Sequence, residues 1–369
     1  DTLSSLDFDD DTDFINARKG FIPGTKLESP IENNNDPSLK AWDMQAYYDC
    51  MGDPQNNPKT APDEVNKVLW RQEQLNNING LFLVFPEPAD GKENDYANGK
   101  IYQIRTYDLA TMSFIKSDNG WIIIDPLGGN ENVAAGLRQF REKVDPGNPI
   151  VAVIFSHSHV DHYKGIDAIL YENGTPLNIQ VIKEVNELAT KIPYKPGEVA
   201  IIAPDGFYDE AISENLYLGN SMQRRAVYMY GSALPRNKYG HIGSGLGKTV
   251  GAATGYLCTP SLELKMQDEN KIRKLTIDGL DVIFQDAPGT EAPAEYHIYF
   301  EKYQTLCPGE NVTHTMHNLL TSRGAKVRDP KAFAAAIDYS LEQWGDKIQV
   351  IAGTHHWPVW GNKNCVDMM

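Results

Sequence analysis

The residues best suited to chemistry are concentrated in "AVIFSHSHVDHYKGI", Ala152 to Ile166, where three of the chain's nine histidines and an aspartate occupy six consecutive positions after an apolar run. In His157-Ser158-His159-Val160-Asp161-His162 the backbone leaves a strand. Side chains 157 and 159 then point the same way, while 161 and 162 follow on the turn, so both flanks of one pocket are furnished. Imidazole and carboxylate at this density suit a Zn²⁺-type ion, and four donors allow two ions to be shared out if more ligands come from elsewhere. A chance cluster of surface histidines is the alternative. Against it stands the position of the run at the C-terminal end of an α/β strand, where sites gather.

The elements that must position this run are legible on either side of it. From Gly80, "LFLVF", "KIYQIRTY", "ATMSFIKS" and "GWIIIDP" are short β-rich runs separated by turn residues, the pattern of an antiparallel meander. "NENVAAGLRQFREKV" spaces Val133, Leu137, Phe140 and Val144 as one helical face. The all-apolar "IVAVIF" that follows is typical of a strand covered on both sides, and the pattern there becomes β-α-β. Later strands are expected in "EVAIIAP", "GLDVIFQDAPG", "EYHIYF" and "KIQVIAG", and a helix in "DPKAFAAAIDYSLEQW" with Asp329 as N-cap and Pro330 in its first turn. Residues 1–79, acidic, Asn-rich and Pro-rich, form an N-terminal extension wrapped on a catalytic core of residues 80–369.

Charge and composition exclude whole classes of function. Lys and Arg total 34 against 50 Asp and Glu, a net charge of −16, which argues against a nucleic-acid surface. An anionic ligand therefore needs a local cationic pocket. No run of eighteen apolar residues is present to support stable membrane insertion. Four scattered cysteines, Cys50, Cys258, Cys307 and Cys365, form neither a CxxC pair nor a disulfide scaffold, so they leave the compartment undefined.

The HxHxDH run after a buried strand resembles the signature of the metallo-β-lactamase superfamily, an αββα sandwich with a dinuclear metal site at the edge of its two sheets. "GWIIIDP" is similar to that family's strand ending in an aspartate, here Asp125, which orients a ligating imidazole. Two later motifs depart from the common pattern. Glu291 in "DAPGTEAPAEY" stands where a histidine usually follows Pro-Gly, and Glu310 in "LCPGENVTHTMHN" stands where a bridging Asp or Cys usually lies. "IQVIAGTHHWPVW" ends a strand at His355 and His356 as usual. With "ARKGFIP", "LWRQEQLNNINGLF", "YDEAISEN", "GSGLG" and "HHWPVWGN", these departures resemble the alkylsulfatases, the dodecyl-sulfate hydrolases of the superfamily, with an insertion around Tyr171 to Glu198.

What the resemblance implies is specific. His157, His159 and Glu291 would bind one Zn²⁺, Asp161, His162 and His355 a second, and Glu310 both. Glu295 for Glu291, Cys307 as a ligand, and His356 for His355 remain alternatives, while His241 and His297 read as ordinary surface or sheet histidines. The substrate would be an amphiphilic sulfate ester, cut to alcohol and inorganic sulfate by a metal-activated water. His317 would be general acid or hydrogen-bond donor, and Arg323 would clamp the sulfate. Asn237 and backbone N–H groups of "PRNKYGHIGSGLGKT" would add to the sulfate pocket, with Ser244 in place of the family's usual Asn. The same ion pair could serve a lactam, thioester or phosphodiester hydrolase, or a non-catalytic anion-binding relative. Alkylsulfatases usually continue into a helical dimerisation region and a lipid-carrier-like domain, whereas this sequence stops at Met369, so the family's homodimer would form through regions outside it. Likeness to bacterial relatives would imply a periplasmic or secreted protein.

Overall fold

The computed structural model describes residues 7–54, 57–89, 95–172, 174–182, 189–266 and 271–369. The first six residues, and part of the insertion expected between Tyr171 and Glu198, lie outside the described residues.

The N-terminal segment carries helices α1 (Thr12–Arg18), α2 (Gln45–Met51) and α3 (Lys67–Leu75). Two small antiparallel ladders join them, β1 (Ile31–Glu32) with β2 (Lys40–Trp42) and β3 (Gly52–Asp53) with β4 (Asn57–Pro58). Asn66 caps α3 by accepting from the backbone N–H groups of Val68 and Leu69. Ala17, Leu75 and Ile78 of this segment are buried against Phe82 and Trp357, so it shares a core with the rest of the chain.

The meander forms as its alternating apolar runs require. β5 (Gly80–Phe85), β6 (Ile101–Arg105), β7 (Met112–Lys116) and β8 (Trp121–Ile124) pair antiparallel in sequence order. Helix α4 (Asn130–Lys143) crosses over, and β9 (Ile150–Ile154) pairs parallel to β8. Short helices α5 (Val160–Tyr163) and α6 (Asp167–Leu170) follow. β10 (Asn178–Ile179) then joins this first sheet, while β11 (Ala189–Ile192) joins the second. β12 (Glu198–Pro204) pairs parallel to β9, and after α7 (Phe207–Ile212) and α8 (Gly219–Tyr230), β13 (Leu262–Leu264) pairs with β12.

The second sheet continues with β14 (Ile272–Ile277), β15 (Leu280–Asp286), β16 (Tyr296–Phe300) and β17 (Thr305–Cys307). Helix α9 (Pro330–Trp344) leads to β18 (Val350–Ile351) and β19 (Val359–Trp360), and α10 (Asn362–Met368) ends the chain. The strand order is β11-β14-β15-β16-β17-β18-β19. Asp329 caps α9 by accepting from Lys331 and Ala332 N–H, with Pro330 in the first turn.

Burial shows why two sheets and two helical layers are needed. In β9, Ile150 and Val153 face the helices, whereas Ala152 and Ile154 face the second sheet; the strand has no solvent side. Phe140 of α4 stacks on Phe114 at 4.0 Å and meets Trp121 edge-on at 4.9 Å. Losing that ring, as in Phe140→Ala, would cost about 3–5 kcal/mol. On the far side, Trp344 of α9 stacks on Tyr299 at 4.9 Å. The result is an αββα sandwich, and the loops that leave β8, β9, β15, β17 and β18 meet in one place.

Candidate metal centre

Each loop delivers its side chain through a specific local device. Past β8, Asp125 takes φ +54°, a left-handed conformation uncommon for a non-glycine residue. Its carboxylate accepts from Ser156 N–H at 2.7 Å and Ser156 Oγ at 2.5 Å, and meets His162 Nδ1 at 2.8 Å. His159 immediately precedes α5, which carries Asp161 and His162. Gly309, at φ +57°, turns the chain before Glu310 where an added Cβ would lie 2.5 Å from Glu295 Oε1.

These devices bring together two groups of donors. His157, His159, Glu291 and Glu310 form one, and Asp161, His162, Glu310 and His355 the other, with the ligand atoms within each group lying within 4.8 Å of one another. Glu310 Oε1 lies 2.8 Å from both His162 Nε2 and His355 Nε2 and 3.4 Å from His157 Nε2. His159 Nδ1 is 2.8 Å from Glu291 Oε2.

The outer contacts of the rings decide which nitrogen faces inward with a lone pair. Ser156 Oγ gives its proton to the Asp125 carboxylate and so accepts from His157 Nδ1 at 2.9 Å. His162 Nδ1–H donates to Asp125, and His355 Nδ1–H donates to the Leu109 carbonyl at 3.1 Å. Three Nε2 atoms then converge on one carboxylate oxygen, a meeting that needs either additional protons on the rings or a cation between them. His157 Nε2 is buried with no hydrogen-bond partner among the described residues, and Glu291 Oε2 faces it at 3.4 Å. Imidazole and carboxylate donors left unsatisfied in this way fit divalent metal ions.

Electrostatics reinforce the fit. Burial pushes the Asp161 carboxyl up, but the neighbouring His162 and His355 outweigh it and hold it well below the usual range. Burial likewise opposes ionisation of Glu291, yet His159 and His157 bring it down to about 2. Glu310 is held well below its ordinary value by His355, His157, His162 and His317 despite its burial. His162, which burial alone would depress, is raised by Asp161 and Asp125. Ionised carboxylates in a buried cluster attract cations.

The cluster opens into a cavity of about 720 Å³. Its apolar wall includes Met222, Ala226, Met229, Leu246, Val250 and Leu257, and its polar end includes His317 and Arg323. His317 Nε2 lies 2.7 Å from Glu310 Oε2 and 3.4 Å from Glu291 Oε1. Arg323 donates to Glu214 Oε2 at 3.0 Å and to His159 Nε2 at 3.2 Å.

One expected placement is corrected, and the alternative ligands are set aside. Asn237 does not line the cavity; its Oδ1 accepts from Tyr239 N–H in a local turn, while Ser244 lies in the wall. Glu295 belongs to neither donor group, because its carboxylate accepts from Ala292 N–H, Thr290 Oγ1 and Glu310 N–H. Cys307 faces the apolar layer between the sheets, and burial pushes its thiol up to about 12. His356 turns away to donate from Nε2 to the Gly245 carbonyl at 3.1 Å. His241 is buried and bonded to Tyr47 Oη, so it is no surface residue; His297 sits in β16 between Ser340 and Asn311.

Two residues escaped the sequence reading. Arg328 donates from Nη1 to His317 Nδ1 at 3.1 Å and from Nη2 to the Glu291 carboxylate. Glu214 anchors Arg323. Glu214 lies in "YDEAISEN", whose likeness to the alkylsulfatases was its only signal, and Arg328 lies five residues after Arg323.

Sandwich and site together define a class: the chain has the metallo-β-lactamase fold, and the metallo-β-lactamase superfamily model matches its residues 105–234. Within it, the chain resembles the alkylsulfatases from end to end. It is 40% identical over 367 residues to a linear primary-alkylsulfatase of a Pseudomonas species, covering 100% of this chain and 48% of the relative. It is 38% identical over 362 residues to an (R)-specific secondary-alkylsulfatase, also from Pseudomonas, covering 98% and 48%. The solved stereoselective inverting sec-alkylsulfatase of a Pseudomonas species superposes with a TM-score of 0.81 at 38% identity, over 99% of this chain and 50% of that one. The chain thus spans about half the length of the curated relatives it matches.

Proposed function

We propose that the chain hydrolyses alkyl sulfate esters, such as dodecyl sulfate, to alcohol and inorganic sulfate at a centre of two divalent cations, with zinc the best match to its donors. His157, His159 and Glu291 would hold one ion, Asp161, His162 and His355 the other, and Glu310 both. Bound there, the ions supply Lewis acidity and acidify a water at neutral pH.

The chain's own side chains account for the rest. Arg328 can only donate, so His317 accepts at Nδ1 and carries its proton on Nε2, directed into the site. That proton is available to a sulfate oxygen or a departing alkoxide. Burial alone would lower the His317 pKa, but the hydrogen bond to Glu310 raises it, which holds the proton on the Nε2 side of the ring. Arg323 offers a planar fork suited to a tetrahedral oxyanion. The Met- and Leu-lined wall suits an alkyl chain and excludes water around it. Residues 1–79 complete that wall from behind, because Glu73 Oε1 accepts from Gly245 N–H at 2.7 Å.

The observation that carries this reading is the pair of donor groups sharing Glu310 at the polar end of an apolar cavity. Elemental analysis coupled to sulfate release from dodecyl sulfate tests it. Close to two metals per chain with turnover abolished by chelation is the expected result; undiminished hydrolysis by metal-free protein would overturn it.

A further inference from the structure

Glu214 is a buried carboxylate with two suitors and one partner. It sits in the π-helical turn Ser213–Tyr217, a backbone irregularity that recurs at functional sites. Its Oε2 accepts from Arg323 Nη1 at 3.0 Å. Its Oε1 is buried with no hydrogen-bond partner among the described residues, 3.9 Å from His159 Nε2. Between the two lies the 3.2 Å contact from Arg323 Nη2 to His159 Nε2.

That contact fixes the tautomer of His159. A guanidinium only donates, so Nε2 presents its lone pair to Arg323, and the ring proton sits on Nδ1, facing Glu291 Oε2 at 2.8 Å. If a cation takes the Nδ1 lone pair, the neutral ring must carry its proton on Nε2. Two N–H groups would then point at each other across 3.2 Å. Arg323 has to leave that position, and the unpartnered Glu214 Oε1 is the acceptor within reach of the new Nε2–H.

We infer that Glu214 is a positioning residue that couples the two halves of the reaction site. It parks Arg323 while His159 is free of metal, and it orients His159 once Nδ1 is engaged, releasing the guanidinium toward the sulfate end of the cavity. The inference rests on His159 being a metal ligand, as in the proposed function. It adds that metal loading and anion binding reinforce each other through one carboxylate, as thermodynamic reciprocity then requires.

The test uses two affinities expected to move in opposite directions. Zinc affinity is measured by chelator competition, and dodecanesulfonate, which cannot be hydrolysed, is titrated calorimetrically into metal-free protein. In Glu214→Gln, zinc should bind roughly 10- to 100-fold more weakly, because the acceptor that orients a ligating imidazole loses its charge and one of its two oxygens becomes a donor. Dodecanesulfonate should bind metal-free Glu214→Gln about 10-fold more tightly than metal-free wild type, because Arg323 loses its charged partner. General damage to the fold would weaken both, and a spectator carboxylate would change neither; either result overturns the inference. Should Glu214→Gln fail to fold, Glu214→Asp is measured in its place, and a lack of change in both affinities again overturns it. Wild-type protein that binds no zinc would sink the proposed function instead, which keeps the two failures apart.

Discussion

The two donor groups are built from the same residue types but are anchored in opposite ways. His162 and His355 each give their outer N–H to a fixed acceptor, the Asp125 carboxylate and the Leu109 carbonyl. His159 and Glu291 lean instead on arginines, Arg323 and Arg328, that line the cavity. One half is thus set by the scaffold before anything binds. The other is fixed at His157 through Ser156, but its remaining members are held by arginines that face the cavity, so its geometry can answer to what the cavity holds. Preorganisation and responsiveness are divided between two sites sharing one carboxylate.

That contrast can be broken most severely at the shared member. Glu310→Gln should strip metal from both halves, leaving well under one ion per chain, and lower kcat/KM for dodecyl sulfate by at least roughly 10⁴-fold, since several kcal/mol of transition-state stabilisation go with each ion. Retention of two ions by this variant, read by elemental analysis, would show the halves to be independent. Next in size is Arg323→Ala. It should keep its metals while losing about 30- to 4000-fold in kcat/KM toward sulfate esters, equivalent to about 2–5 kcal/mol for an unpaired charged contact. Toward a neutral ester the loss should be far smaller; an unchanged ratio of the two substrates would make Arg323 structural. Smallest is the effect of the outer anchors. Asp125→Asn should weaken zinc binding roughly 10- to 100-fold, and mainly in the half that contains His162. Ser156→Ala, which touches His157 through a hydroxyl, should cost less. Equal losses in chelator competition would erase the distinction between a rigid and a responsive half.

How far the sequence disclosed this arrangement follows the range of the interactions. The HxHxDH run, the meander, α4 and the caps of α9 are local, fixed by neighbours two to four positions apart, and they were legible. Asp125 was legible as the end of a strand, though not its left-handed turn. The segment around Tyr171 to Glu198 read as an insertion, yet it adds β10 to one sheet and β11 to the other, a pairing that no local pattern encodes. Arg328 and Glu214 were missed because their partners, His317, Glu291 and Arg323, are reached only across the assembled cavity. Asn237 was misplaced for the converse reason: its loop lies close in sequence to the cavity wall, and its side chain is spent on its own turn.

The tie between α3 and the Gly243–Lys248 loop has a further consequence. Lys248 is wholly buried, its Nζ bonded to the Glu73 backbone carbonyl at 2.7 Å and to its carboxylate at 3.1 Å, and a side chain at Gly243 would collide with that carboxylate. Asn76 fastens the same loop through the Gly245 carbonyl at 2.9 Å. The cavity wall is therefore inherited in two pieces from distant parts of the chain. A chimera that exchanged the wall loop alone between relatives would import one half of a lock; only a graft carrying residues 67–76 together with 243–248 transfers the specificity it was made to move.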